Sequence, residues 1–291
     1  MANYRILTDS TADLTPALIR QLNVTVLPLT FHLENVDYPD SVLAPQKSSK
    51  EFYDAMRAGS TPTTSQVTPE AFKETVEPLL QQGEDVLYLA FSSGLSGTYN
   101  AARIAFEELA AAYPQRKLLT VDTLAASMGE GLLVYHACAL RDADKPIEEV
   151  AQWVTDNRLK LSHWFTVDDL VYLKRGGRVS GAAAFFGTVL NIKPVLHVDD
   201  EGHLIPMEKV RGRRQSLDAL VEHMAKSAVE PGKQIIFISH GDCEADAQYV
   251  ADAVRSRFGT KEVYLGNVGP VIGSHSGPGT VALFFLAENR S

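Results

Sequence analysis

A short polar segment, Ser92 to Thr98, carries the strongest chemical signal in this sequence. It follows an apolar run, Val86–Phe91, that predicts a buried strand, and it precedes a segment over 99–106 that predicts a helix. Glycines let a ligand approach the backbone, and the first turn of a helix presents unpaired N–H groups with a partial positive charge. Serine and threonine add hydroxyl donors. These residue types at this place indicate a seat for an anion.

Three further segments rich in Ser, Thr and Gly could contribute to the same seat: residues 9–13, 61–66 and 269–279. Turns and helix caps use the same residue types, so each segment taken singly has a structural interpretation. Four such segments in one chain favour a shared ligand site. His275 lies between two serines in the last of them, and its place in a glycine-rich loop favours a ligand-facing role.

The composition restricts the class of protein. Apolar residues make up 45% of the chain and charged residues 22%, which is typical of soluble globular proteins. A net charge of -9 argues against nucleic-acid binding, which needs a basic surface. No secretory signal or membrane-length apolar run is visible, so we expect a cytoplasmic protein without stable membrane insertion. Cys138 and Cys243 are expected to be free thiols, and no metal-ligand spacing is present, so we predict no metal.

Two other functions remain open at the level of residue types. The Ser92–Thr98 segment resembles the nucleophile elbow of serine hydrolases, although Thr98 stands where the final glycine belongs. A serine esterase would use Ser93 or Ser96 with His275. The second alternative is a binder of phosphorylated metabolites, although the lysine of a Walker-type phosphate loop is absent.

The elements that must position these residues divide the chain near residue 160. Strand-like and helix-like segments alternate in residues 1–160, which predicts an α/β domain with a parallel sheet and ligands at the carboxyl ends of its strands. Residues 194–199 and 203–210 flank a turn and predict an antiparallel hairpin. We therefore expect residues 161–291 to form an α+β domain with a mixed or antiparallel sheet.

The ordered set of motifs resembles the DegV family of bacterial fatty-acid-binding proteins. The matching segments run from the first predicted strand to the last: residues 9–14, 64–66, 92–99, 127–129, 173–180, 193–194 and 273–279. Two positions depart from the pattern, with Val67 where the family often has proline and Thr123 where serine is common.

The resemblance implies a two-domain carrier that holds one long-chain fatty acid, such as palmitate or oleate, without a further cofactor. The carboxylate is expected in the domain of residues 1–160, near Thr64 and Ser93, with His275 close by. Further hydroxyl groups of the expected carboxylate site belong to Ser65, Ser92 and Ser96. The acyl chain is expected in a tunnel of residues 161–291, with its shape set by Phe165, Phe185, Phe186 and Ile192.

The resemblance also implies that the protein is not itself an enzyme. It would present the carboxylate to the ATP-binding subunit of a separate fatty acid kinase, which would convert it to an acyl phosphate. Two basic clusters, residues 174–178 and 211–214, are unexpected in an acidic chain and suit an acidic ligand group or a partner. The expected contacts with the kinase or the phosphate are Arg175, Arg178 and Arg211.

The tail and the head group of a fatty acid are expected to contribute differently to the binding free energy. A sixteen-carbon acid has about 14 methylenes, each worth roughly 0.8 kcal/mol on burial, so the gross gain is about 11 kcal/mol. Association and the ordering of the chain cost several kcal/mol of this gain. One charge-assisted hydrogen bond to the carboxylate contributes about 1.5–3 kcal/mol. The tail therefore supplies most of the affinity, while the hydroxyl groups select for an acid. On this reasoning Ser93→Ala is expected to weaken binding roughly 10- to 150-fold.

Overall fold

The computed structural model of the chain describes residues 4–179 and 191–290. Phe185 and Phe186, which were expected to shape the tunnel, lie outside the described residues. The described strands are β1 (Tyr4–Asp9), β2 (Thr25–Leu27), β3 (Thr30–Leu33), β4 (Val36–Pro39), β5 (Thr63–Ser65), β6 (Asp85–Ala90), β7 (Leu118–Asp122), β8 (Leu161–Thr166), β9 (Ile192–Val198), β10 (Leu204–Arg211), β11 (Ile235–His240), β12 (Glu262–Asn267) and β13 (Val281–Leu286).

The α-helices of the described residues connect the strands. They are α1 (Pro16–Leu22), α2 (Ser49–Arg57), α3 (Pro69–Gln81), α4 (Thr98–Ala112), α5 (Met128–Asp142), α6 (Ile147–Asn157), α7 (Val171–Gly176), α8 (Arg213–Ser227), α9 (Glu244–Phe258) and α10 (Pro270–Ser276), with a short 3-10 helix at Ser10–Ala12. The Thr15 side chain accepts a bond from the Leu18 N–H at the start of α1, and Thr68 does the same for Ala71 at the start of α3.

The first sheet is parallel, in the order β2-β1-β6-β7. One of its faces packs on α3 and α4 and the other on α1, α5 and α6. Because both faces are covered, β6 is an almost continuous apolar run whose last five residues are buried. The predicted α/β architecture of the first half is confirmed.

The second sheet has six strands in the order β10-β9-β8-β13-β11-β12, and its neighbours are antiparallel except for the parallel pair β11 and β12. Strands β9 and β10 form the predicted hairpin, with a bulge between Pro206 and Glu208. The predicted mixed sheet of the second half is therefore confirmed. Helix α5 packs against both sheets, so the two halves share one apolar core.

Two polar segments differ from the prediction of open loops. Residues Thr63–Ser65 form β5, which pairs with β3 in a small antiparallel sheet of β4, β3 and β5. Pro270–Ser276 forms α10, because Pro270 suits the first helical position and Gly277, with φ +81°, ends the helix. His275 therefore lies in the last turn of a helix and not in a flexible loop.

Candidate functional site

A cavity of about 370 Å³ lies between the two halves of the protein. This volume lies within the range of sites for small organic ligands. Most of the wall is apolar, and it includes Phe91, Leu95, Phe165, Leu204, Ile272 and Phe284. Residues of both halves line the cavity, among them Leu29, Phe91 and Leu95 from the first half, and the place of the acyl chain in residues 161–291 stays a prediction. Phe165 lines it as expected, whereas Ile192 is not among the described lining residues.

One end of the cavity is polar. Four of the six residues that were expected to bind a carboxylate line the wall there, together with one of the three arginines: Thr64, Ser65, Ser96, His275 and Arg178. They come from the end of β5, the turn before α4, the last turn of α10 and the segment after α7. Ser65 and Gly97 are exposed to solvent, so the polar end is also the open end.

His275 is anchored at this polar end through Thr64. The distance from Thr64 Oγ1 to His275 Nε2 is 2.8 Å, and Nδ1 has no hydrogen-bond partner among the described residues. Burial and the charge of Arg178 lower the pKa of His275 to about 4, so the imidazole is neutral at pH 7. The ring also packs on Gly176, where an added Cβ would lie 2.2 Å from Nδ1. The imidazole is thus a fixed, neutral group that can hydrogen-bond.

Arg178 supplies the positive charge. Its Nε donates to the Leu95 carbonyl at 3.3 Å and Nη1 donates to the Gly176 carbonyl, so the half-buried guanidinium joins α7 to the polar turn before α4. Among the described residues of the cavity wall, Arg178 is the single permanently charged side chain, and no Asp or Glu is present. The electrostatics of the wall therefore favour an anion.

The polar turn is held in place by two carboxylates from neighbouring strands. Asp9 Oδ2 accepts from the Phe91 N–H at 3.3 Å, and Asp122 Oδ1 accepts from the Ser93 N–H at 3.2 Å. At the start of α4, Ser96 Oγ accepts from the Thr98 N–H at 3.2 Å. These bonds fix the backbone of the turn that carries Ser96.

The structure does not bring Ser92 and Ser93 to the cavity wall. Ser92 is fully buried, and its Oγ donates to the Gly202 carbonyl at 2.9 Å, in the turn of the β9–β10 hairpin. Ser93 is exposed to solvent. The Leu95 and Ser96 N–H groups both donate to the Ser92 carbonyl, and this tight turn points successive side chains in different directions.

Arg175 and Arg211 also lie away from the wall. Both are exposed, and the Arg175 guanidinium stands 5.7 Å from the ring centroid of Tyr172. Arg211 ends β10, seven residues from Leu204 on the cavity wall, which is about 23 Å along the strand. Of the three arginines expected to contact the kinase or the phosphate, only Arg178 lines the cavity.

A group of buried carboxyl groups next to the site was missed in the sequence. Asp9, Asp13, Asp40 and Glu130 are all buried, and burial raises their pKa values, that of Asp40 to about 7. Glu130 accepts from the hydroxyl groups of two threonines, including Thr8 at 2.6 Å. The polar segment 9–13 therefore stabilises the fold next to the cavity and does not line the cavity wall. No sequence signal marks these groups, because a carboxylate after a strand is typical of a solvated turn.

The geometry does not assemble a serine hydrolase triad. His275 Nε2 is bonded to Thr64, and no carboxylate contacts His275 Nδ1 within the described part of the chain. Ser96 Oγ is bonded to Thr98 Oγ1 at 2.9 Å. A triad needs a base that contacts the nucleophile and is oriented by an acid, and neither contact is present among these residues.

No helix within 4–179 and 191–290 combines the length and hydropathy that a bilayer crossing requires. Over the same residues, His, Cys, Asp and Glu side chains do not form a group of three that could hold a metal ion.

Comparison with known proteins places the chain in a family. The family model of the uncharacterised DegV proteins matches residues 3–288. A DegV domain-containing protein of Clostridium perfringens is 44% identical over 290 residues, which cover 100% of this chain and 99% of the relative. A DegV lipid-binding protein of Thermotoga maritima has a TM-score of 0.87 at 32% identity and covers 100% of both chains. A DegV family protein of Thermus thermophilus, solved for its fatty acid binding, has a TM-score of 0.87 at 32% identity and covers 98% of this chain and 99% of that one. The family expected from the motifs is confirmed, and the chain belongs to the DegV family.

Proposed function

We propose that this protein binds one long-chain fatty acid, with the carboxylate at the polar end of the cavity and the acyl chain along its apolar wall. The observation that carries the proposal is the make-up of the cavity wall: most of its described side chains are apolar, Arg178 is its one permanent charge, and Thr64, Ser96 and His275 lie on the same wall near the exposed Ser65 and Gly97. The two structural relatives, one lipid-binding and one studied for fatty acid binding, support the same class of ligand.

The carboxylate is proposed to lie between Arg178 and the hydroxyl groups of Thr64 and Ser96. A carboxylate that leaves water needs charged or hydrogen-bonding partners, and these groups would supply them. The neutral His275 can donate one N–H without adding a second desolvated charge. These contacts favour an acid over an ester or an alcohol, whose head groups bear no charge.

Competitive binding tests the proposal. Displacement of a fluorescent fatty acid by octadecanoic acid, its methyl ester and octadecanol gives the three affinities. We expect the acid to bind most tightly, and Arg178→Gln to weaken the acid roughly 10- to 150-fold with a smaller effect on the ester. Arg175→Gln is the matched control, because Arg175 is exposed and lies off the cavity wall. Equal affinities for acid and ester in the unmodified protein would contradict the proposal, as would failure of all three ligands to bind.

We further propose that the bound acid is presented to a separate fatty acid kinase subunit, as the family resemblance suggests. A carboxylate oxygen would attack the γ-phosphorus of ATP, forming an acyl phosphate and releasing ADP. The position of the polar end at the surface supports this, because another protein could reach the carboxylate there. Arg175 and Arg211 remain proposed contacts for that partner.

A reconstituted assay tests this step. The protein, loaded with radiolabelled octadecanoic acid, is mixed with a purified ATP-binding subunit of a fatty acid kinase and ATP, and the acyl phosphate is trapped with hydroxylamine. Product that needs both proteins supports presentation. Product formed equally well from free acid without this protein would refute it.

A further inference from the structure

His163 places a buried polar side chain in the wall of the cavity. It lies on β8, two residues from Phe165, which is about 7 Å along the strand. Phe284 on β13 is its paired neighbour, and the two rings stand edge to face with centroids 5.5 Å apart. His163 thus adjoins Phe284, an apolar group of the cavity wall that an acyl chain would contact.

The imidazole of His163 is buried without hydrogen-bond partners. The residue is 2% exposed, and neither Nδ1 nor Nε2 has a hydrogen-bond partner within the described residues. Burial lowers its pKa well below the ordinary value, so the ring is neutral and holds one donor and one acceptor. A buried polar group without a partner is uncommon, because it loses its hydration and gains nothing in return.

Gly129 on α5 limits how far the ring can move. A Cβ at residue 129 would lie 2.4 Å from His163 Nε2, so the helix backbone packs closely against the imidazole. The ring is therefore enclosed between α5 and the second sheet, and it cannot turn outward to find water.

We propose that the preferred ligand is a long-chain fatty acid with a hydroxyl group on its acyl chain, and that His163 hydrogen-bonds to this hydroxyl. The inference rests on the proposed fatty acid binding and narrows its substrate class. A hydroxyl can accept from the imidazole N–H or donate to the other nitrogen, so it suits either orientation of the ring. An unsubstituted chain leaves both nitrogens without partners.

A positional series of monohydroxy-octadecanoic acids, compared with octadecanoic acid, tests this inference. We expect one or more isomers with an internal hydroxyl to bind about 5- to 150-fold more tightly, which corresponds to relief of one unpaired buried polar group. The isomers should differ from one another, because only some carbons of the chain can reach His163.

His163→Phe should abolish the preference, so that in this variant the hydroxylated isomers bind no more tightly than octadecanoic acid. His197→Phe is the control for disturbance of the surrounding sheet, because buried His197 donates from Nδ1 to the His163 carbonyl at 2.7 Å but does not line the cavity, so the preference should persist in this variant. In the unmodified protein, ¹⁵N NMR of the histidine rings should show a change at His163 with the preferred isomer, and this does not depend on the folding of a variant.

The outcomes separate the two proposals. If octadecanoic acid binds and no isomer binds more tightly, the inference about hydroxylated acids is overturned while the proposed function stands. A preference that persists in His163→Phe also overturns it. If no acid of the series binds, the proposed function itself fails and this inference fails with it.

Discussion

Gly176 and Gly177 end α7 as neighbours, and alanine at only one of them should affect fatty acid binding. A Cβ on Gly176 would lie 2.2 Å from Nδ1 of His275, whereas a Cβ on Gly177 would meet no atom within 4 Å. Gly177 instead has φ +67°, a conformation that L-residues rarely adopt. We therefore expect Gly176→Ala to impair fatty acid binding, whereas Gly177→Ala should impair stability alone.

The expected size of the binding effect follows from the geometry. An ordinary carbon–nitrogen contact is about 3.4 Å or longer, so the His275 ring must shift by roughly 1 Å in Gly176→Ala. The ring cannot move so far and keep its 2.8 Å bond to Thr64, so the donors at the carboxylate end lose their arrangement. Loss of one charge-assisted hydrogen bond to the acid costs about 1.5–3 kcal/mol, which weakens binding roughly 10- to 150-fold.

Both substitutions are expected to reduce stability. Alanine in place of Gly176 gains about 0.5–1 kcal/mol of helix propensity, but it loses about 1 kcal/mol from the broken Thr64 bond and about 1–3 kcal/mol from overlap with the His275 ring. Alanine at Gly177 must adopt the left-handed conformation at a cost of about 1–2 kcal/mol. Its binding of octadecanoic acid should stay unchanged, because no atom of the site meets the new methyl group.

Urea denaturation and ligand displacement on the two purified variants check both expectations. Normal affinity in Gly176→Ala would show that the position of His275 does not control acid binding. An equal loss of affinity in Gly177→Ala would show that any change at the end of α7 disturbs the site. The close contact between a Cβ at residue 176 and His275 Nδ1 would then not explain the effect of Gly176→Ala.

Three further predictions concern the surroundings of the site. Thr64→Ala should weaken the binding of octadecanoic acid roughly 10- to 150-fold and the binding of its methyl ester less, as measured by ligand displacement. Equal losses of affinity for the two ligands would remove Thr64 from the carboxylate site. Gly202→Ala should unfold at lower urea than Gly259→Ala, although both positions have positive φ, because only at Gly202 would the Cβ meet Ser92 Oγ, at 2.1 Å. Burial raises the pKa of Asp40 to about 7, so between about pH 4 and 7 the folded protein holds a proton on this carboxyl that the unfolded chain has lost, and the contribution of Asp40 to stability falls as pH rises. Asp40→Asn should therefore reduce the slope of the unfolding free energy against pH by up to about 1.4 kcal/mol per pH unit. An unchanged slope in pH-dependent denaturation would refute this prediction.

Much of the architecture could be predicted from local sequence patterns. Buried parallel strands are continuous apolar runs, as Val86–Phe91 shows, and Thr15 and Thr68 cap helices through bonds to backbone three residues away. These interactions depend on residues close in sequence, so the elements can be predicted without the fold. The anion seat before α4 was predicted for the same reason, because a helix start presents donors wherever it lies.

The serines of that seat could not be distinguished in the same way. Ser92 and Ser96 have the same chemistry, yet Ser92 Oγ is bonded to the carbonyl of Gly202, which is 110 residues away, whereas Ser96 lines the cavity. The small sheet that carries Thr64 also depends on a distant partner, because β5 pairs with Phe31 on β3. Polar segments with few apolar residues contain no periodicity that would indicate such pairing.

The amino-acid sequence by itself determined which segments form most of the strands and helices, which family the chain resembles, and that hydroxyl groups cluster before α4. The tertiary structure alone decided which side chains share the cavity: it brought Arg178 and His275 to the polar turn, left Arg211 far along a strand, and buried His163 in the apolar wall. The physical reason is that local structure follows from neighbouring residues. Burial, charge proximity and pKa depend on which distant elements pack together.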